Sequence, residues 1–139
     1  MSKKTIVLIF CFLIFAAPGC VNIKSQNQTF QLQDRVRAYR KAIRWSEFEI
    51  ANTYITRSNQ TQHQYDSDFH AGIKVTTMEI IEYDLRLAEQ EAYITCEISF
   101  YHETDGVVAT ILDKQRWWYD PIIQMWHLDG SFPAFGSKF

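Results

Sequence analysis

General acid–base catalysis is one reaction chemistry that the side chains of this chain could perform. It needs a carboxylate or histidine in a pocket and a hydrogen-bond donor for the charge that develops on the substrate. The candidates are Tyr39, His102, Asp120 and His127. His102 stands beside a predicted turn and His127 next to Asp129, which favours positions on a rim or surface. None of them lies in a known catalytic motif, so we predict no catalytic residue.

Motifs with a known mechanism are missing from the sequence, including the nucleophile elbow, the P-loop, GxGxxG and HExxH. The polar stretch 58–70 contains four residues that can ligate a metal ion, His63, Asp66, Asp68 and His70. Their spacing matches no known metal site, and such residues are ordinary in surface loops. We therefore predict neither a metal nor a cofactor.

Lipid attachment is the chemistry that the N-terminus indicates. Lys3 and Lys4 precede an uncharged apolar run over 6–17, which is long enough for a signal peptide and short for a spanning helix. The run closes on Ala-Pro-Gly-Cys at 17–20, which resembles the lipobox of bacterial lipoprotein signal peptides. Pro18 departs from the small residue usual at its position. The resemblance implies cleavage before Cys20 and a diacylglyceryl group on its thiol.

Two other outcomes compete with lipidation. Cleavage by ordinary signal peptidase would leave a soluble secreted protein, and an uncleaved helix would leave a membrane anchor. Val21 follows the cysteine where an aspartate would imply inner-membrane retention, so the resemblance implies the outer membrane, facing the periplasm. We predict a signal peptide over 1–19, a lipidated cysteine and tether over 20–29, and one domain over 30–139.

Charge and cysteine content limit the function of the mature chain. Loss of Lys3 and Lys4 leaves 12 basic against 16 acidic residues, which argues against a nucleic-acid binder. Cys11 leaves with the leader and Cys20 is lipidated, so Cys96 has no disulfide partner. Cys96 is predicted to be a buried structural residue, because it shares one strand face with Ala92, Ile94, Ile98 and Phe100.

Two helices are predicted before the strands. The first has an apolar stripe at Leu32, Val36, Tyr39 and Ile43. Another face is basic, with Arg37, Arg40, Lys41 and Arg44. This basic face is either a solvated surface or a contact with anionic lipid. Ser46 and Glu49 have the spacing of a capping box, and Trp45 and Ile50 that of a hydrophobic staple. The second helix is therefore expected from Glu47 to about Arg57.

Strands are predicted over 73–84, 91–103, 107–119 and 123–128. Alternation in the first of them fails near Thr76 and Thr77, which indicates a β-bulge. The tail is expected to fold back on the domain through Phe132, Phe135 and Phe139.

This order of elements predicts an α+β domain, with an N-terminal helix pair packed on a curved, mostly antiparallel sheet of about four strands. The helix pair AYRKAIRWSEFEIANTYI, the long hairpins and the tryptophan-rich last hairpin RWWYDPIIQMWHL resemble the NTF2-like (cystatin-like α+β) superfamily over about 30–128. The resemblance implies a cone whose open end holds a small ligand. It does not imply one function, because this superfamily includes isomerases, dehydratases and binding or dimerising modules.

Tryptophans are the predicted contact residues. Trp117, Trp118 and Trp126, with Tyr39 and His127, are expected to contact a ligand or partner, because aromatic side chains dominate interface energetics. Neighbours in a strand face opposite sides, so one of Trp117 and Trp118 points away from the core. The sequence thus predicts a non-catalytic binding or interaction domain of an envelope lipoprotein, with a small-molecule isomerase or dehydratase as the alternative. Expected partners are the bilayer, a second copy at the sheet face, and a small apolar ligand or envelope protein.

Overall fold

The computed structural model describes residues 20–56, 65–130 and 132–136. The predicted signal peptide, His63 and Phe139 lie outside these ranges. The helices are α1 (Cys20–Arg44), α2 (Phe48–Asn52) and α3 (Ser67–His70). The strands are β1 (Ile55–Thr56), β2 (Ile73–Arg86), β3 (Glu91–His102), β4 (Val108–Asp120) and β5 (Met125–Asp129).

The sheet has the strand order β1-β5-β4-β3-β2 and is antiparallel except where β1 pairs with β5. Helices pack on this open sheet, so the predicted α+β class with a mostly antiparallel sheet is confirmed. The described strands number five, against about four predicted. The additional strand, β1, is two residues long and lies where the second helix was expected to continue.

Helix α1 is longer than its apolar stripe predicts. The stripe is buried as expected, with Leu32, Tyr39 and Ile43 completely inaccessible to solvent. The helix nevertheless begins at Cys20, so the stretch expected to be an irregular tether is helical. This stretch contains neither proline nor glycine, and packing holds its end: the indole Nε1 of Trp126 donates to the backbone carbonyl of Gln28 at 2.9 Å.

The prediction of a capping box at Ser46 is wrong. Ser46 has a φ of 57°, its N–H donates to the carbonyl of Ile43, and the N–H of Glu47 donates to that of Ala42. This is a Schellman motif, so Ser46 ends α1 instead of starting α2. Helix α2 begins at Phe48 after Glu47, whose side chain makes no capping hydrogen bond.

The predicted hydrophobic staple is also absent at Trp45 and Ile50, and the predicted length of the second helix is wrong. Trp45 and Ile50 are 67% and 52% exposed, so they form no buried pair. Helix α2 ends at Asn52, since the chain then turns to bring Ile55 beside Leu128 of β5. Tertiary pairing therefore overrides the helical pattern in this segment.

Strand β2 contains the predicted bulge. Its pairing with β3 shifts between Val75 and Thr77, and shifts a second time between Ile80 and Glu82. The outer edge of β2 is covered by the basic face of α1, because Arg40 donates to the carbonyl of Met78 at 2.6 Å and Arg44 to that of Val75 at 2.7 Å. Two of the four basic residues thus bind backbone carbonyl groups at the edge of the sheet. Neither the solvated surface nor the lipid contact expected for this face included that role.

Strand β3 and the tail behave as predicted. Ala92, Ile94, Cys96, Ile98 and Phe100 are all buried against the helices. The tail returns to the same core, where the rings of Phe132 and Phe135 lie 5.7 and 5.3 Å from that of Phe48.

Candidate functional site

Three of the predicted contact residues lie inside the domain. Tyr39, Trp117 and Trp126 have no solvent-accessible surface. The ring of Tyr39 meets that of Trp117 edge-on, with centroids 6.0 Å apart. A direct contact between these side chains and a ligand would therefore take place in the space between α1 and the sheet.

The other two predicted contact residues lie together on the opposite sheet face. Trp118 and His127 are cross-strand partners whose rings stack with centroids 4.8 Å apart. His127 Nδ1 also lies 3.1 Å from the hydroxyl of Thr56. Trp117 is buried and Trp118 is half-buried on the outer face, so the expectation that one of the two points away from the core is confirmed.

Charged residues surround this aromatic pair. Arg116 donates to Asp129 Oδ2 at 2.6 Å and to Glu91, while the hydroxyl of Tyr93 donates to Glu91 at 2.6 Å. The hydrogen bonds from Tyr93 and Arg116 lower the pKa of Glu91. The outer face at this end of the sheet is thus a fixed polar and aromatic surface.

A chain of polar side chains lies on the buried face of β4. Asp113 and Gln115 are 9% and 4% exposed, and Gln115 Nε2 donates to Asp113 Oδ2 at 2.7 Å. Trp117 Nε1 donates to Gln115 Oε1 at 3.0 Å. Cys96 is the cross-strand partner of Asp113, and its Sγ lies 3.7 Å from Gln115 Nε2.

Burial controls the protonation of this cluster. It raises the pKa of Asp113 to about 6, against the opposing effect of the hydrogen bond from Gln115. Burial, followed by the nearby charge of Asp113, raises the pKa of Cys96 to about 12. The same two causes hold the pKa of Tyr39 well above its usual range. Cys96 is therefore a protonated thiol with no nucleophilic character, as its predicted structural role requires.

The cluster has the components of acid–base chemistry. Asp113 exchanges its proton near neutral pH, and the buried hydroxyl of Tyr39 has no hydrogen-bond partner among the described residues. Asp113 and Gln115 were not among the predicted site residues. Their signal was present in the sequence, because every second residue before Trp117 shares its strand face.

The remaining acid–base candidates stabilise turns. His102 Nδ1 lies 2.7 Å from the hydroxyl of Thr104, and Asp120 Oδ1 accepts from the N–H of Ile122 at 2.8 Å. Both lie at hairpin ends, so they are not brought together with Tyr39.

The polar loop contributes local structure and a surface cleft. Asp66 caps α3 by accepting from the N–H groups of Asp68 and Phe69, and His70 is buried between aromatic rings, where burial lowers its pKa. A cleft of about 360 Å³ lies between this segment and α2, with Glu47, Glu49 and Lys74 on its walls. Within the described ranges, no three metal-ligating side chains converge.

Comparisons with protein-family models, with curated proteins and with solved structures gave no match for this chain. In the described part of the chain, no helix is long and apolar enough to cross a bilayer.

Proposed function

We propose that this protein is an envelope lipoprotein, anchored through acylated Cys20 in a bacterial outer membrane and facing the periplasm, whose domain binds a partner or small ligand without catalysis. The observation that carries the anchor is the lipobox-like sequence ending at Cys20, together with a helix that runs from Cys20 directly into the core. A covalent lipid at residue 20 would thus be attached to the rigid frame of the domain through α1.

The lipid anchor is tested by intact-mass and peptide mass spectrometry of the chain expressed with its leader in a bacterial host. Acylation predicts a mature N-terminus at residue 20 with a diacylglyceryl adduct, and Cys20→Ser should abolish both the adduct and the membrane fractionation. Cys11→Ser is the matched control, because that cysteine leaves with the leader. A mature chain that begins elsewhere, or carries no lipid, would refute the anchor.

A binding role is supported by the outer sheet face. The stacked Trp118 and His127 are held by ordered charged neighbours, and Leu112 is 57% exposed on the same face. Fixed aromatic groups with exposed apolar neighbours are typical of contact surfaces. We propose that a second copy or another envelope protein binds here. Light scattering should show a dimer that Leu112→Glu dissociates, and a strict monomer at high concentration would exclude the homodimer.

The second candidate function is an isomerase or dehydratase, and the buried Asp113 with the unpartnered hydroxyl of Tyr39 favours it. In this proposal, α1 and the sheet form an NTF2-like cone, Asp113 moves a proton as general base, and Tyr39 donates to the developing oxyanion. Tyr39 has no solvent-accessible surface and Asp113 is 9% exposed, so a substrate would have to open the space beneath α1.

The enzymatic proposal is tested by hydrogen–deuterium exchange at carbon next to the carbonyl group of small enolisable ketones, followed by NMR. Exchange should disappear in Asp113→Asn and Tyr39→Phe, and persist in Asp84→Asn, which alters an exposed carboxylate on β2. Equal exchange in all variants would rule out this site.

A further inference from the structure

The turn between β4 and β5 carries the most exposed large apolar side chain of the described residues. Ile122 is 89% exposed and its neighbour Ile123 is 55% exposed. Ile122 therefore buries almost nothing in the domain itself, and Ile123 leaves more than half of its surface in water. Their position in the fold therefore indicates which partner covers them.

The contacts of α1 place the β4–β5 turn at the same end of the molecule as Cys20. The C-terminal end of α1 lies over β2, where Arg44 meets Val75. Its N-terminal half lies over β5, where Gln28 accepts from Trp126 at the start of that strand. Followed from Arg44 towards Cys20, the helix thus crosses the sheet from the β2 edge to the end where β4 turns into β5. The remaining eight residues from Gln28 to Cys20 extend it by about 12 Å.

Other exposed apolar groups lie at this end. Ile23, one turn from Cys20, is 63% exposed, and Met125 is 39% exposed beside the turn. A cleft of about 270 Å³ joins the helix to the hairpin here, with Gln31 and Arg35 on one wall and Met125 on the other. The cleft therefore places the hairpin tip beside the part of α1 around Gln31, about three turns along the helix from Cys20.

Two backbone N–H groups of the tip are already paired within the chain. Asp120 Oδ1 accepts from the N–H groups of Ile122, at 2.8 Å, and Ile123, at 3.4 Å. Gln124 adopts a φ of 54°, which closes the turn. These hydrogen bonds reduce the cost of moving the turn into a region of low polarity, where unpaired N–H groups are unfavourable.

We infer that the β4–β5 tip, through Ile122 and Ile123, inserts into the interfacial region of the lipid bilayer that holds Cys20. This inference rests on the proposed lipid anchor. The anchor fixes the N-terminal end of α1 at the membrane, and the tip is the second contact that orients the domain. The opposite hairpin, between β3 and β4, then points away from the membrane, because β4 runs the length of the sheet between the two turns.

The test uses the acylated full chain in vesicles of phosphatidylethanolamine and phosphatidylglycerol that contain a lipid with a nitroxide near its headgroup. Ile122→Cys is labelled with an environment-sensitive fluorophore. Val107→Cys is the matched control, because Val107 is 60% exposed at the opposite hairpin. Both substitutions affect solvent-exposed side chains, so folding is retained, and Cys96 is too buried to compete for label.

We expect a blue-shifted emission and strong nitroxide quenching at residue 122, with neither effect at residue 107. Mass spectrometry of the same samples reports acylation of Cys20 independently. An acylated chain with an unquenched label at 122 overturns the inference and leaves the anchor intact. An unacylated chain that stays off the vesicles overturns both. An unacylated chain that binds vesicles, with peptide mapping placing the quenched label on residue 122 and not on the free Cys20 thiol, refutes the anchor and supports the tip contact.

Discussion

Replacing Asp113 by asparagine should make the domain more stable at neutral pH and remove a pH dependence of its stability. Burial raises the pKa of Asp113 from 3.8 to about 6 in the folded protein. A pKa difference of one corresponds to about 1.4 kcal/mol, so keeping this carboxylate charged in the core costs roughly 3 kcal/mol. The side chain is 9% exposed, so solvent screening reduces this cost only slightly.

The sign follows from the raised pKa. Below its unfolded pKa, Asp113 is neutral in both states and folding has no ionisation cost. As pH rises from 3.8 to about 6, the unfolded chain ionises while the folded state keeps its proton, so stability falls over this range; above about 6 the folded state holds the buried charge and the loss is complete. Asparagine is neutral throughout and keeps an oxygen that can accept from Gln115. The stability of Asp113→Asn relative to the wild type should thus increase by about 2 to 3 kcal/mol between pH 4 and pH 8.

The measurement is urea unfolding at a series of pH values, followed by circular dichroism. Other groups also contribute to the pH dependence, among them His70 and Glu91, whose pKa values are lowered in the folded state, and comparison at each pH subtracts their common contribution. Asp84→Asn serves as the exposed control and should follow the wild type more closely. If the difference in the free energy of unfolding between Asp113→Asn and the wild type stayed constant from pH 4 to pH 8, a buried Asp113 carboxyl with a raised pKa would be refuted.

Three further predictions test the fold. Ser46→Gly should change the free energy of unfolding by no more than about 1 kcal/mol, because relief of the positive φ offsets the loss of the long hydrogen bond from the N–H of Val75 to Ser46 Oγ. Glu49→Ala should have little effect. A larger loss of stability in both variants, measured by urea unfolding, would support the capping box instead. Trp126→Ala should lower the free energy of unfolding by about 3 to 5 kcal/mol, because it leaves a cavity and removes the hydrogen bond to α1. Trp118→Ala, on the outer face, should lower it by less. Thermal unfolding that shows the reverse order would contradict the placement of the two tryptophans. The Cys96 thiol, with a pKa of about 12, should resist a thiol-reactive disulfide reagent in the folded chain and react in urea; rapid reaction without urea would disprove its burial.

Local pattern was sufficient for β2 to β5 and for the buried stripe of α1, but not for β1 or for the start of α1 at Cys20. Period-two alternation identified Cys96 as buried, and broken alternation at Thr76 located the bulge, because a side chain's face in a strand is fixed by its position in the sequence. The capping box at Ser46 failed for a different reason. The same serine can begin one helix or end another, and the hydrogen bonds from Ser46 and Glu47 back to Ile43 and Ala42 show that it ends α1 here.

The sequence by itself therefore determined the α+β class, the strand faces, the split of Trp117 from Trp118, and the lipobox-like pattern at Cys20, since each depends on residues close together in the chain. Only the tertiary structure decided that Asp113 lies close enough to Tyr39 to raise its pKa, that Arg40 and Arg44 cover the edge of β2, and that the β4–β5 tip lies at the same end as Cys20. These are relations between residues tens of positions apart. Burial and distance, which set a pKa or place a surface, exist only once the sheet and helix have packed.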